Sequence, residues 1–242
     1  MIGAVVFDVG ETLVDETREY GTSARLVGGA AAYVRVGVRA VIASGQDYRE
    51  TFQVFQPGFD LAKERQARAD AGKPEYYDES DLYPDARPAL AQLRGLGIWL
   101  GIVGNQTVRS GKILRGLDLP ADFIATSDDW GVEKPSAEFF AKVVEVAPCT
   151  VDQIVYVGDR IDNDVAPAKR AGMRTAYLQR GPWGWILRDK PEVAEMSDWK
   201  IRDLTELLKI VAAENGSGLA DERVDRCVPV VEPIVEGSYG GQ

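Results

Sequence analysis

The sequence predicts an α/β fold built on a parallel sheet, and three observations indicate it. Five short apolar runs recur along the 242-residue chain, and helix-compatible segments separate them. The first runs lack the alternation of a half-exposed strand, which is typical of strands buried on both faces. Strands that alternate with helices at this spacing form βαβ units. We therefore expect a Rossmann-like, doubly wound sheet of about five strands with an inserted helical cap.

The predicted elements follow one another in a regular order. The apolar runs that we interpret as strands are 2–7, 98–103, 123–126, 154–157 and 175–178. The predicted helices lie at 86–94, 108–117, 136–147, 162–171 and 204–213. Two of these helices lead directly to a glycine, which is a common helix stop.

The domain organisation is predicted from the place where this alternation breaks. The core is expected at 1–14 and 85–213, and the helix-compatible segment 15–84 between them is expected to form the cap. The cap would emerge at the carboxyl edge of the first strand, where ligands bind in open α/β sheets. Within it, the Ala-, Val-, Gly- and Arg-rich stretch 24–41 is either an irregular cap helix or a compensated frameshift. The Gly-rich segment 214–242 is predicted to be a flexible tail.

Composition excludes several classes of function. The chain has 28 basic and 38 acidic residues and a net charge of −10, which weighs against binding to nucleic acid and to anionic membranes. It has no histidine, so Ser-His-Asp catalysis and His-ligated metal sites are impossible. Two cysteines are too few for a disulfide framework or a four-Cys zinc site. Without a membrane-length apolar run or a secretory signal, we expect a cytoplasmic protein, and its oligomeric state is left open.

Polar residues follow four of the predicted strands, at positions that would meet in one crevice. The residues at these positions are, in chain order, Asp8, the pair Gly104 and Asn105, Lys134, Asp159 and Asp164, and all but Gly104 have polar side chains. Three converging carboxylates repel one another unless a hard cation lies among them, and Mg²⁺ suits such a site. A lysine in an acidic cleft needs an anionic partner, and a phosphoryl group fits. The pattern therefore predicts in-line attack by a carboxylate on a phosphorylated substrate.

The chain resembles the haloacid dehalogenase-like (HAD) hydrolase superfamily through four motifs in a specific order. The motifs are FDVGETL at 7–13, IVGN at 102–105, SDDWGVEKPSAEFF at 127–140 and VYVGDRIDNDVAPAKRAGM at 155–173. The resemblance covers residues 1–14 and about 83–212, and the segment 15–84 matches the helical cap of the family in position and length. Each motif alone is weak, but their joint order and spacing are specific.

The resemblance implies a role for each residue of the crevice. It makes Asp8 the nucleophile and a Mg²⁺ ligand, with the carbonyl of Gly10 as a second ligand. Asp159 would bind the metal directly, and Asp164 directly or through water. Lys134 would bridge the nucleophile and the transferring phosphoryl group. The residues implied to present amides to the phosphoryl oxygens are Gly104 and Asn105.

Two glycines depart from the family pattern. Gly10 stands where the phosphatases of the family usually have an Asp general acid/base, and Gly104 replaces a usual Ser or Thr. The first change removes the proton donor for the leaving alcohol, a step typically worth roughly 10²–10⁴-fold. Glu11 is adjacent, but neighbouring residues on an extended turn tend to point apart. Asp15 and Glu16 are interpreted as the polar start of the cap.

These observations favour a Mg²⁺-dependent hydrolase that acts on a small phosphorylated metabolite through an aspartyl-phosphate on Asp8. Without the general acid, it would be slow or restricted to good leaving groups. One alternative is a catalytically impaired protein that binds a phosphorylated ligand or a protein partner. Another is a hydrolytic dehalogenase, which needs no general acid but also no metal acids. Of the remaining polar and aromatic residues, Asp162 is expected to cap the helix that follows it, and Trp183 to pack against the sheet edge.

Overall fold

The predicted parallel α/β sheet is confirmed. A computed structural model describes residues 1–26, 31–46 and 48–216. These residues form a six-stranded parallel sheet in the order β3-β2-β1-β4-β5-β6. The strands are β1 (Ala4–Phe7), β2 (Trp99–Gly104), β3 (Phe123–Thr126), β4 (Ile154–Gly158), β5 (Arg174–Leu178) and β6 (Trp199–Ile201). The first five are the predicted ones, and the edge strand β6 is additional.

The sheet is buried on both faces, and β1 shows this directly. Its side chains alternate between two hydrophobic clusters, with Val5 and Phe7 in one and Ala4 and Val6 in the other. All four are fully buried, which explains why the strand is apolar throughout. The first cluster is closed by the helices Ala86–Gly95 and Leu204–Gly216, and the second by the helix Ala137–Val146.

The helices of the core lie between the strands as the alternation predicts. They are α5 (Ala86–Gly95), α6 (Val108–Gly116), α7 (Ser127–Trp130), α8 (Ala137–Val146), α9 (Ala166–Arg170), α10 (Gly181–Ile186), α11 (Pro191–Met196) and α12 (Leu204–Gly216). A π-helical turn at Ile161–Val165 precedes α9 and replaces the first part of the predicted helix 162–171. Among the described helices, none combines the length and the hydropathy of a membrane span.

The predicted tail begins three residues too early, because α12 continues through Gly216. Residues 217–242, which make up the rest of that tail, lie outside the described part of the chain.

The segment between β1 and α5 is helical. It contains α1 (Thr17–Leu26), α2 (Ala31–Ala43), α3 (Glu50–Phe55), α4 (Leu61–Asp70) and a 3₁₀ turn at Glu79–Asp81. We call residues 15–84 the cap segment. Its apolar side chains, among them Ile42 and Phe52, pack in one cluster with Tyr177 and Trp183 of the core.

The two connections between the cap segment and the core run side by side. Val14 and Leu82 form an isolated antiparallel bridge. The Asp15 N–H donates to the Asp81 carbonyl at 2.7 Å, and the Tyr83 N–H donates to the Leu13 carbonyl at 2.9 Å. The cap segment therefore leaves and re-enters the core at one place, directly after the first strand.

Candidate active site

The topology brings the ends of β1 and β4 together. From β1 the chain moves outward to β2 and β3, and it then returns to the other side of β1 as β4. Phe7 is in register with Val157, and the Asp8 N–H donates to the Val157 carbonyl at 2.9 Å. Asp8 therefore lies beside the turn that carries Asp159. A crevice at the carboxyl ends of strands, where the strand order reverses, is the usual ligand site of such sheets.

Three buried carboxylates and one buried ammonium group meet in this crevice. Asp8, Asp159 and Asp164 each offer an oxygen, and these oxygens all lie within 4.8 Å of one another. The Lys134 Nζ donates to Oδ1 of Asp8 at 2.6 Å and to Oδ1 of Asp164 at 2.5 Å. Lys134 is 3% exposed and Asp164 fully buried. The structure thus brings together four of the residues that the sequence analysis singled out.

The electrostatics of this cluster are dominated by burial. Burial would lower the pKa of Lys134, but the carboxylates of Asp164 and Asp8 outweigh it and hold that pKa well above its usual value. Burial, followed by the charges of Asp164 and Asp8, raises the pKa of Asp159 well above its usual value. For Asp164, burial outweighs the nearby Lys134 and raises the pKa to about 6. One ammonium group does not offset three buried carboxyl groups.

The three carboxylates of the cluster are suited to bind a divalent cation. Oδ2 of Asp159 is buried and has no hydrogen-bond partner among the described residues. A buried carboxylate oxygen without a donor is costly, and a cation would satisfy it. Three carboxylates that offer hard oxygen atoms within a few ångströms of one another are typical Mg²⁺ ligands.

The two residues that close β2 have different roles in the structure. The Asn105 side chain donates to the Lys134 carbonyl at 2.9 Å and accepts from the Lys134 N–H at 2.7 Å. It therefore positions the lysine loop, and its backbone amide is the group left for the predicted phosphoryl contact. A Cβ at Gly104 would lie 2.6 Å from Oδ1 of Asp8. A side chain at residue 104 would therefore displace the carboxylate of Asp8.

The turn after β4 corrects one prediction. Asp162 does not cap the following helix, because its carboxylate binds the guanidinium of Arg160 at 2.7 Å. Asp164, not Asp162, binds a backbone group at the start of this turn, since its Oδ2 accepts from the Arg160 N–H at 3.0 Å. The Arg160 guanidinium also lies 4.7 Å from the ring centre of Trp183.

A cavity of about 440 Å³ opens above this cluster, between the core and the cap segment. Trp183, which was expected to pack against the sheet edge, packs in one hydrophobic cluster with Tyr177 of β5. It also lines this cavity and packs edge-on against Tyr48 of the cap, 5.5 Å away, which the sequence did not predict. Acidic side chains prevail in its wall. The basic residues that line it are Arg49, Arg65, Lys134 and Arg160.

A carboxyl group that the sequence analysis did not assign to the site, that of Glu16, lies against the turn after Asp8. A Cβ at Gly10 would lie 2.5 Å from Oε1 of Glu16. Burial, and then the charge of Glu11, raises the pKa of Glu16 to about 8. Glu16 is thus more than the polar start of the cap. A glycine at residue 10, followed by a Glu in the cap connection, was the sequence feature that could have revealed it.

Glu11 lies on the other side of the same turn. Its backbone φ is +55°, and its carboxylate accepts from the Tyr83 hydroxyl at 2.5 Å. Burial raises the pKa of Glu11 to about 7, although the hydrogen bond from Tyr83 opposes this shift. Its side chain approaches Gly181, where an added Cβ would lie 2.6 Å from the Glu11 Cβ. This placement agrees with the prediction that the side chain of Glu11 points away from the position of a side chain at residue 10.

Comparison with known proteins identifies the family of this site. A family model described as haloacid dehalogenase-like hydrolase matches residues 2–172. The chain belongs to the haloacid dehalogenase-like hydrolases. This hydrolase is 29% identical over 236 residues to a glyceraldehyde 3-phosphate phosphatase of Methanopyrus kandleri, covering 88% of this chain and 100% of the relative. It is 30% identical over 235 residues to the protein of that name from Pyrococcus abyssi, covering 90% and 97% of the two chains.

A solved structure shares the fold of this hydrolase. The HAD-hydrolase YfnB from Bacillus subtilis superposes with a TM-score of 0.65 at 22% identity. The alignment covers 87% of this chain and 98% of that one. The resemblance stated from the four sequence motifs is therefore confirmed.

Proposed function

We propose that this hydrolase is a Mg²⁺-dependent phosphatase of small phosphorylated metabolites that acts through an aspartyl-phosphate on Asp8. The observation that carries the proposal is the cluster of Asp8, Asp159 and Asp164 around the Lys134 ammonium group, with Oδ2 of Asp159 left without a hydrogen-bond partner among the described residues. Mg²⁺ would be held by these three carboxylates and by the carbonyl of Gly10.

Each residue has a chemical task in this proposal. The Lys134 ammonium group donates to Oδ1 of Asp8 and would also contact a phosphoryl oxygen of the substrate. Asp8 attacks phosphorus, and the leaving oxygen departs in line with it. Asn105 holds the backbone of Lys134 and so orients the ammonium group. When bound, Mg²⁺ would neutralise phosphoryl charge and the repulsion among the carboxylates.

The relatives and the cavity narrow the substrate class. Two relatives that this chain matches over most of its length bear the name glyceraldehyde 3-phosphate phosphatase. A third, which aligns over 60% of this chain, is a ribulose-1,5-bisphosphate 5-phosphatase. The structure of YfnB contains bound magnesium. A cavity of about 440 Å³, with Arg49 and Arg65 contributed by the cap segment, suits a phosphorylated sugar of a few carbons.

Gly10 gives a reason to test a second function, the binding of a phosphorylated ligand without turnover. The loss of an acid at residue 10 favours it, and the retained metal acids oppose it. The same acids also argue against a hydrolytic dehalogenase, because a halide leaving group needs neither a proton nor a divalent cation.

The test is hydrolysis of p-nitrophenyl phosphate, acetyl phosphate and glyceraldehyde 3-phosphate, in Mg²⁺ and in EDTA. We expect turnover that requires Mg²⁺ and that Asp8→Asn abolishes. A wild type that stays at the Asp8→Asn background on all three substrates, but binds phosphate, would support the binding function instead. Halide release from 2-chloropropionate in EDTA would support the dehalogenase.

A further inference from the structure

We infer that the carboxyl group of Glu16, in the connection to the cap, replaces the side chain missing at Gly10 as the proton donor and acceptor of the reaction. This inference rests on the proposed function and concerns the same cavity. It assigns a catalytic role to a residue that lies eight positions after the nucleophile Asp8.

The geometry points to Glu16 because its carboxyl group occupies the space of the absent side chain. A Cβ built on Gly10 would lie 2.5 Å from Oε1, 2.7 Å from Cδ and 3.1 Å from Oε2 of Glu16. These three atoms are the whole carboxyl group. Real Cβ atoms essentially never approach other atoms so closely, so residue 10 can carry a side chain only if Glu16 moves. Both residues line the cavity that also contains Asp8.

The position of Glu16 is fixed by neighbours from two elements. The Tyr20 hydroxyl of α1, one helical turn further along the chain, donates to Oε2 of Glu16 at 3.1 Å. The side chain of Gln106, which follows β2, lies close to the same carboxyl group and lines the same cavity. The carboxyl group of Glu16 therefore lies between the cap segment and the core, at the wall of the cavity.

Glu11 does not compete for this role. Its carboxylate is bound by the Tyr83 hydroxyl at 2.5 Å and lies against Gly181, on the far side of the turn. Among the described residues that line the cavity, Glu16 is the one whose carboxyl group reaches the position of a side chain at residue 10.

The proposed steps balance as follows. Asp8 forms a bond to phosphorus while the bond from phosphorus to the leaving oxygen breaks, and Glu16 transfers its proton to that oxygen, so that an alcohol departs. The Glu16 carboxylate then accepts a proton from a water molecule while the oxygen of that water molecule attacks phosphorus. The bond between phosphorus and the Asp8 oxygen breaks, which releases inorganic phosphate and restores the Asp8 carboxylate and the protonated Glu16.

The test compares wild type, Glu16→Gln, Glu16→Ala, and the exchange variant Gly10→Asp/Glu16→Ala. The substrates are glycerol 2-phosphate, whose alkoxide needs a proton, and p-nitrophenyl phosphate, whose phenolate does not. The control is Glu50→Gln, the same chemical change at an exposed position of the cap segment. Thermal unfolding of every variant separates loss of chemistry from loss of fold.

We expect Glu16→Gln to lower kcat on glycerol 2-phosphate by roughly 10²–10⁴-fold, the usual worth of a general acid. With p-nitrophenyl phosphate the variant should still release about one equivalent of p-nitrophenolate in a burst, because only the second step then needs a base. Mass spectrometry should find the phosphoryl group on Asp8. The exchange variant should regain at least tenfold over Glu16→Ala on glycerol 2-phosphate.

Two results would overturn the inference while leaving the proposed function intact. One is a Glu16→Gln enzyme with wild-type kcat on glycerol 2-phosphate. The other is an equal loss on both substrates without a burst and without recovery in the exchange variant, which would indicate a structural role. If wild type stays at the Asp8→Asn background on both esters and also on acetyl phosphate and glyceraldehyde 3-phosphate, the proposed function fails and the inference fails with it.

Discussion

Lys134 is the residue on which the electrostatic balance of the crevice depends. Its ammonium group contacts Asp8 and Asp164, and its side chain is 1% exposed. Removal of one partner from a buried ion pair leaves the other charge without compensation, and this costs more than the pair itself contributes. The stability of the metal-free protein should therefore be unusually sensitive to this lysine.

The first prediction concerns this lysine. Lys134→Ala should lower the free energy of unfolding in EDTA by about 3–5 kcal/mol, because two buried carboxylates lose their cation. Addition of Mg²⁺ should restore part of the loss. Urea denaturation in EDTA and in Mg²⁺ measures both effects. Lys112→Ala, at an exposed position of α6, is the control and should change stability by less than about 1 kcal/mol. Equal losses in the two variants would contradict the prediction.

The second prediction is a pH dependence of stability that arises at Glu11. Its pKa in the folded chain is about 7, against 4.5 in an unfolded chain, so the folded state binds the proton more tightly. Its stabilising contribution is complete below pH 4.5 and is lost as the pH rises through 7. The groups that face Glu11 are Asp15, Glu16, Tyr20 and Tyr83.

In EDTA, the free energy of unfolding of wild type should therefore fall between pH 5 and 8, with Glu11 contributing on the order of 1–3 kcal/mol. Glu11→Gln, which keeps the shape of the side chain but cannot ionise, should have a smaller slope. Guanidinium denaturation at several pH values measures this. A variant with the slope of wild type would show that other groups carry the dependence.

The sequence predicted the cluster of carboxylates around Lys134 better than it predicted the surroundings of that cluster. Asp8, Lys134, Asp159 and Asp164 were predictable because each follows a buried strand, or the loop after one, and parallel strands bring such ends together. Glu16 was not predictable in the same way. Its approach to Gly10 depends on how the cap connection turns back over β1, and no periodicity in the sequence records that path.

At the scale of the elements, Arg180 joins three segments behind the site. It follows β5, forms a short ion pair with Asp85 at the start of α5, and donates to the Thr12 carbonyl at 2.9 Å. The same Asp85 oxygen accepts from the Leu204 N–H, where α12 begins, at 2.9 Å. The Arg180 guanidinium also lies 4.2 Å from the ring centre of Tyr83, in the cap connection. This arrangement fixes the turn that carries Gly10.

The third prediction follows from this contact. Arg180→Ala should lower the free energy of unfolding by about 3 kcal/mol, because Arg180 is 9% exposed and its loss leaves Asp85 without a cation. Arg188→Ala is the matched control, since its ion pair with Asp189 is largely exposed and worth less than about 1 kcal/mol. Differential scanning calorimetry of both variants measures the difference. A loss in Arg180→Ala no greater than in Arg188→Ala would refute the role assigned to Arg180.

The elements that the sequence did not predict are short. The edge strand β6 has three residues, and α7, α10 and α11 have four to six. Such segments carry too few residues for a period of 2 or 3.6 to be read, so tertiary contacts decide them. The five predicted strands were readable because each is an apolar run, and the helices α5, α8 and α12 were readable because their buried residues repeat over several turns.

At the scale of the whole molecule, the net charge of −10 affects the ions that reach the site. A negative protein attracts cations over distances comparable to the Debye length, which is about 10 Å at 0.1 M salt and 3 Å at 1 M. The cavity wall adds to this field, because acidic residues prevail in it. Divalent cations should therefore accumulate at the crevice at low ionic strength.

The fourth prediction is that Mg²⁺ raises the melting temperature of the wild type and that this shift shrinks when KCl is raised from 0.05 to about 0.5 M, because salt screens the long-range attraction. Differential scanning fluorimetry with matched EDTA samples measures it. Asp159→Asn should show little shift at either salt concentration. A wild-type shift that is the same at both concentrations would mean that the net charge plays no part.

The bridge between Val14 and Leu82 has a consequence for how this chain can change over evolutionary time. Because the two ends of the intervening segment are paired with each other, the distance between the two core residues that it connects does not depend on its length or sequence. Insertions, deletions or replacement of the whole segment therefore change the part of the cavity wall that the cap segment provides, but leave the core in place. Substrate preference can then diverge while the carboxylate cluster beneath it is inherited unchanged.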